Sequence, residues 1–197
     1  MTKRIRTMRK TLLFLFCLCC TIVHAQTSTF QSVAARYKTI QSATATVTKT
    51  PSKGTTTHGT LTIRKPDLVS ITTNGNQEKL VMQGTTFTMT YGGRDMQTDS
   101  RRNQQFTTFH TVLTSLINGS TADVSSLKDV TVAMSGQTVV ITITPPAGPF
   151  WRRGLFKSFV LVLDTQTSAF KTLKMEERGG NSTTYTFTDF KFKKQTK

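Results

Sequence analysis

Residues 59–93 read GTLTIRKPDLVSITTNGNQEKLVMQGTTFTMTYGG. Leu61 and Ile63, then Val69 and Ile71, then Phe87, Met89 and Tyr91 alternate with polar neighbours, the period of two that lays one side of a strand on a core. Lys65-Pro66-Asp67, Asn74-Gly75-Asn76, Gln83-Gly84 and Gly92-Gly93 separate these runs with turn-forming residues, so successive strands pair as antiparallel hairpins. The pattern continues outward. Val139, Ile141 and Ile143, and Phe159, Leu161 and Leu163, alternate in the same way, with further turn signals at Gly54, Ser135-Gly136, Asp164 to Thr167 and Gly179-Gly180-Asn181. About eleven strands result. Threonine, a β-branched residue suited to strands, supplies 36 of the 172 residues after Ala25.

Two segments break the alternation. Over 28–41, Phe30, Val33, Ala34, Tyr37 and Ile40 fall at helical spacing behind a possible cap at Ser28 or Thr29. Over 106–117, Phe106, Phe109, His110, Leu113, Leu116 and Ile117 form a second apolar stripe, stopped by Asn118-Gly119 and placed between the sixth and seventh strands. The fold class is therefore mainly β with two amphipathic helices: a curved antiparallel sheet that wraps into an open barrel, its open side plugged by the helices. Eleven strands enclose more room than side chains easily fill, which predicts an apolar ligand pocket lined by Leu61, Ile63, Val69, Ile71, Phe87, Met89, Phe109, Leu113, Leu116, Val139, Ile141, Phe159 and Leu161. Plain core packing of the same side chains is the alternative.

All three cysteines, Cys17, Cys19 and Cys20, lie in the first 20 residues, which excludes a disulfide, an iron–sulfur centre or a Cys-ligated zinc site in the rest of the chain. Lys3, Arg4, Arg6, Arg9 and Lys10 precede an apolar run from Leu12 to Val23 that ends in Val23-His24-Ala25, the form of a secretory signal cleaved after Ala25. The domain organisation read here is thus a signal at 1–25 and one domain at 26–197, soluble and exported. Lipidation of one of the cysteines is a rival reading: Phe16 and Leu18 are bulky before Cys17 and Cys19, where a lipoprotein signal wants a small residue, which leaves Cys20 as its candidate. The formal charge of +16 becomes +11 beyond residue 25, with 21 Lys+Arg against 10 Asp+Glu, a balance that favours anionic partners; export makes nucleic acid the least expected of them.

Chemistry-bearing constellations are missing. His58 and His110 are far apart and lack metal-ligand company, so no metal is expected. Glu176 and Glu177 point to opposite faces of a strand, and Gly92-Gly93-Arg94-Asp95 reads as a hairpin turn. With no nucleophile elbow, phosphate loop or dinucleotide fingerprint, neither an enzyme nor a cofactor is expected. One loop stands out, Pro145-Pro146-Ala147-Gly148-Pro149-Phe150-Trp151-Arg152-Arg153-Gly154. Phe150 and Trp151 beside Arg152 and Arg153 fit a docking contact with a membrane or partner, or else a Trp folded back over the sheet.

The run Gly59-Thr-Leu-Thr-Ile-Arg-Lys-Pro66 followed by apolar residues at alternating positions resembles the periplasmic outer-membrane lipoprotein carrier family, LolA. Further matches are the helix end Leu113 to Gly119, Thr144-Pro145 after a strand, the Phe159 to Asp164 strand and the closing Thr184-Tyr-Thr-Phe-Thr-Asp-Phe190. The resemblance implies an unclosed β-barrel lidded by helices, a monomer that holds lipoprotein acyl chains in the periplasm. It also implies an inner-membrane lipoprotein-releasing transporter and an outer-membrane acceptor as partners. A related protein carrying another amphiphile, or a stress regulator sensing an acylated ligand, would use the same fold. Members place before the proline an Arg that bonds to the lid and governs opening; here that position is Lys65, on the same strand face as Leu61 and Ile63, with Arg64 facing the other way. A merely solvated strand-end lysine is the alternative.

Overall fold

The computed structural model describes residues 30–120, 124–147 and 154–195. Helix α1 covers 30–36 and runs through a 3-10 turn, Tyr37–Thr39, into the first strand. Eleven strands follow: β1 Ile40–Pro51, β2 Thr57–Arg64, β3 Leu68–Thr73, β4 Glu78–Gln83, β5 Thr86–Tyr91, β6 Arg94–Asp99, β7 Val130–Ser135, β8 Thr138–Ile143, β9 Phe156–Asp164, β10 Phe170–Glu177 and β11 Ser182–Lys194. Helix α2, Gln104–Ile117, joins β6 to the β7 side. The strands form one sheet in the order β6-β5-β4-β3-β2-β1-β11-β10-β9-β8-β7, so first and last strands meet at its centre while β6 and β7 are its free edges. Every neighbouring pair is antiparallel.

Alternation decides which way each strand faces. On β1, Ala43, Ala45 and Val47 are buried while Thr44 and Thr46 are exposed, and β2 and β11 repeat this with Leu61 and Ile63, and Tyr185 and Phe187. The abundant threonines thus clothe the outer face of the central strands, where Thr60 and Thr72 sit opposite each other with hydroxyls 3.3 Å apart. Gly59 is required by proximity: a Cβ there would lie 1.8 Å from the carbonyl oxygen of Thr72 on β3. Gly59→Ala is therefore expected to destabilise the protein by about 1–3 kcal/mol, the usual cost of overpacking, and to lower the urea midpoint without changing the slope.

The helix read over 28–41 ends earlier than its periodicity predicts. Ile40 opens β1, pairing with Lys194, and its burial comes from the sheet and not from a helix face. The second helix begins two residues before Phe106, because Asn103 caps it by accepting a hydrogen bond from Gln105 N at 3.2 Å. It stops at Asn118, and Gly119 follows at φ 67°, a left-handed position that glycine takes without strain.

The β9–β10 connection is organised by one carboxylate. Asp164 accepts from Thr167 N at 2.8 Å, Gln166 N at 3.0 Å and the Thr167 hydroxyl at 2.9 Å, and pairs with Lys171 at 3.0 Å. The Thr167 backbone bond first, then Lys171, hold its pKa at about 2, against an ordinary value of about 4. A carboxyl depressed on folding stabilises the native state above its unfolded pKa, and that contribution disappears as pH falls through the folded value. Thermal melts at pH 6 and pH 3 should therefore separate more widely for the parent than for Asp164→Asn; equal separations would mean that the turn bonds do not persist in solution.

Candidate functional site

The inner face of the sheet and one side of α2 enclose an interior lined mostly by apolar side chains. Leu61, Val69, Ile71, Leu80, Met82, Phe87, Phe109, Leu113, Leu161, Phe170, Leu173 and Phe187 surround a void of only about 20 Å³. That is room for about one water molecule, far below the roughly 300–1,000 Å³ of ligand clefts. Among the described residues, stacked aromatic rings occupy much of the space that eleven strands leave, and the void between them is narrower than the expected pocket.

Those rings also show how α2 is seated. Phe106 stacks on Phe87 of β5 with centroids 4.8 Å apart, and Phe109 stacks on Phe159 of β9 at 4.5 Å. Phe156 and Phe159, themselves 4.9 Å apart, extend the cluster. The helix therefore bridges the two halves of the sheet across its open side. Its first turn is tied by polar bonds, Gln105 Oε1 accepting from Phe156 N at 3.1 Å and the Thr107 hydroxyl donating to Ser100 O at 2.5 Å. From Phe109 to Ile117 no hydrogen bond joins the helix to a strand among the described residues, and the buried Thr114 hydroxyl has no partner. That half of α2 is held by apolar contact, which is non-directional and yields to any comparably apolar replacement.

Lys65 stands at the other end of the lid. Its Nζ donates to the carbonyl oxygen of Tyr37 and, at 3.1 Å, to that of Lys38, the last carbonyls of the α1 segment, where a cation is favoured. Partial burial lowers its pKa from the ordinary lysine value. Arg64, one residue earlier, is exposed on the outer face. The Tyr37 hydroxyl donates to Ser168 O at 2.8 Å, and burial pushes its pKa up. Gly119 packs so tightly on this corner that an added Cβ would come within 2.6 Å of Lys38 N. Lys65, the end of α1 and the end of α2 thus form one contact chain.

Of the residues expected around the pocket, Leu61, Val69, Ile71, Phe87, Phe109, Leu113 and Leu161 line the central void, while Ile63, Leu116, Val139, Ile141 and Phe159 are buried in the same core without reaching it. Met89 is different: it is half-buried and lines a second, outer recess. Sequence reasoning missed Leu80, Met82, Phe170, Leu173 and Phe187. In Leu80-Val81-Met82 both strand faces are apolar, so alternation gives no contrast. Phe187, between threonines and two residues from Tyr185, carried a usable signal. The loop residues Phe150, Trp151, Arg152 and Arg153, and the segment 1–25, lie outside the described residues.

His58 is exposed, its Nδ1 3.3 Å from the Thr48 hydroxyl, and His110 lies edge-on to Phe87 at 6.3 Å. Among the described residues no three His, Cys, Asp or Glu side chains gather as metal ligands, and no helix is long and apolar enough to cross a membrane.

An open antiparallel barrel whose apolar interior is closed by two helices defines a class of lidded β-proteins. Within that class the assignment is direct. The profile of the family described as outer membrane lipoprotein carrier protein LolA matches residues 30–197, and the chain belongs to that family. No curated protein sequence matches. Among solved structures the chain is similar to a LolA superfamily protein from Nitrosomonas europaea, at 8% identity and a TM-score of 0.36, covering 87% of this chain and 95% of that one. It is also similar to a putative outer membrane lipoprotein-sorting protein domain from Vibrio parahaemolyticus, at 13% identity and a TM-score of 0.42, covering 88% and 94%. A third similar structure is the Pseudomonas aeruginosa MucA/MucB complex, at 14% identity and a TM-score of 0.44, covering 88% of this chain and 59% of the other.

Proposed function

We propose that this protein is a periplasmic carrier that shields the acyl chains of lipoproteins between α2 and the inner face of the sheet, taking them from an inner-membrane transporter and passing them to an outer-membrane acceptor. The observation that carries this reading is the pairing of a central void lined by apolar side chains with a covering helix whose second half, among the described residues, makes no hydrogen bond to a strand. An acyl chain replaces ring-on-ring contact with equally apolar contact, so loading exchanges one packing for another. Each buried CH₂ contributes about 0.8 kcal/mol, enough for a few chains to anchor a lipoprotein in a bilayer unless a protein interior takes their place. The closed state, already packed, competes with the cargo and keeps affinity low enough for release. Apolar packing needs no catalytic group, and the role is that of a binding protein and not an enzyme.

The test is transfer of a triacylated lipopeptide from vesicles. Incubation with the purified protein, followed by flotation of the vesicles, is expected to leave a soluble one-to-one complex that native mass spectrometry resolves. Lipopeptide that stays wholly with the vesicles, with no acyl compound bound by the protein at any concentration, would overturn the proposal.

A further inference from the structure

A second recess opens at the end of the barrel where the β1–β2, β3–β4, β5–β6 and β10–β11 connections meet, with a volume of about 460 Å³. Its charges cancel. Lys49 Nζ pairs with Glu78 Oε2 at 2.8 Å, and the same carboxylate oxygen accepts from the hydroxyls of Thr73 at 3.0 Å and Thr57 at 3.4 Å. The Lys49 bond first, and the two hydroxyls with it, keep the Glu78 carboxyl below the usual range, so it is ionised at neutral pH and Lys49 stays neutralised. The other charged side chains on the wall, Lys53 and Glu177, again sum to zero. In a chain with 26 Lys+Arg against 10 Asp+Glu this is the opposite of the general balance. Amides and hydroxyls, among them Asn74, Gln77, Asn181 and Thr183, make up most of the remaining polar lining.

The recess neighbours the central void along two strands. Met175 and Tyr185 line it, and two residues along the same strand faces Leu173 and Phe187 line the central void. One molecule with a polar head and an apolar tail would span both regions.

We propose that this recess is a head-group site for uncharged, hydroxyl- or amide-bearing heads of acylated molecules, and that Glu78 sets this preference against phosphate heads by cancelling the charge of Lys49. This rests on the carrier reading above. A neutral head finds donors and acceptors for its hydrogen bonds, whereas a phosphate would give up water to a wall whose net charge is zero and whose more sheltered cation, Lys49, is already paired with Glu78. Glu78→Gln keeps an acceptor for Thr73 and frees Lys49, so it converts the site toward anions.

The experiment is competition for the purified protein among three probes with the same two oleoyl chains: monogalactosyl diacylglycerol, a lipopeptide with a short uncharged amidated peptide, and phosphatidylglycerol. The parent should bind at least one neutral-headed probe tenfold or more above phosphatidylglycerol, and the stronger of the two neutral probes identifies the source of the head. Glu78→Gln should shrink that ratio to threefold or less, and the double variant Lys49→Gln/Glu78→Gln should restore it, which separates charge from damage to the fold. Equal binding of all three probes by the parent, or an unchanged ratio in Glu78→Gln, would overturn the head-group inference and leave the carrier reading standing. Binding of none would remove both.

Discussion

On the proposed carrier reading, Lys65→Leu is expected to load acyl cargo but fail to let it go. The Lys65 Nζ bonds to the carbonyls of Tyr37 and Lys38, and this corner packs closely on Gly119 at the end of α2. On the carrier reading proposed above these bonds belong to the closed lid, and losing them should raise the energy of the closed state while leaving acyl contacts in the loaded state intact. Charged hydrogen bonds of this kind contribute about 1.5–3 kcal/mol when sheltered; for a half-exposed lysine a net of about 1–2 kcal/mol is the appropriate scale, tightening cargo binding by about 5- to 30-fold. Lys65→Arg keeps the cation and offers a fork able to bridge both carbonyls, so it should release cargo at least as fast as the parent. Dissociation of a fluorescent lipopeptide measures both variants, and an unchanged rate in the Leu variant would reduce Lys65 to a strand-end cation with no part in opening.

Phe109→Ala should show the largest loss of stability. The ring is buried, stacks on Phe159 at 4.5 Å and lies 5.9 Å from Phe87, so its removal hollows the layer that joins the two sheet halves. Truncating a buried Phe costs about 3–5 kcal/mol, much of the total of about 5–15 kcal/mol available to a domain. The same change makes room where the parent has almost none, and an acyl chain should fill it: a long-chain fatty acid is expected to raise the Tm of Phe109→Ala by more than it raises that of the parent. A loss below about 1 kcal/mol, or equal shifts with fatty acid, would show that the ring does not hold the lid.

The strands were legible because each inner face needs one residue in two, and Leu61, Ile63, Val69 and Ile71 announce that face without reference to anything distant. The eleven-stranded antiparallel sheet and the helix between β6 and β7 follow from such local signals. Ile40 was misread because a helical stripe and the first inward residue of a strand look alike, and only pairing with Lys194 decides between them. The packed interior was not legible either. Whether side chains fill a barrel depends on how Phe106, Phe109, Phe156 and Phe159 stack across elements, a matter of volume and not of order along the chain. The partners of Lys65 lie 27 and 28 residues away, and those of Glu78 include Lys49 at 29 residues, so neither the lid contact nor the neutral recess has a local signature.

The strand order also governs how the chain can be assembled. Both halves of the sheet, β1 to β6 and β7 to β11, are meanders that hairpins can build from near neighbours, yet their strands pair with one another only across β1 and β11, the first and last of the eleven. A chain emerging N-terminus first can form its early hairpins at once, but α2 has one wall of its aromatic bed missing until Phe156 and Phe159 arrive, and the seam stays open until Ser182 to Lys194 pair with β1. For that interval the apolar interior is exposed on an incomplete sheet with a bare edge at β1, the form most open to aggregation or to capture by a folding factor. Closure of the sheet therefore waits on the thirteen-residue β11, and a chain cut short before Ser182 would retain nearly all of the buried residues described here without the strand that unites the two halves of the sheet.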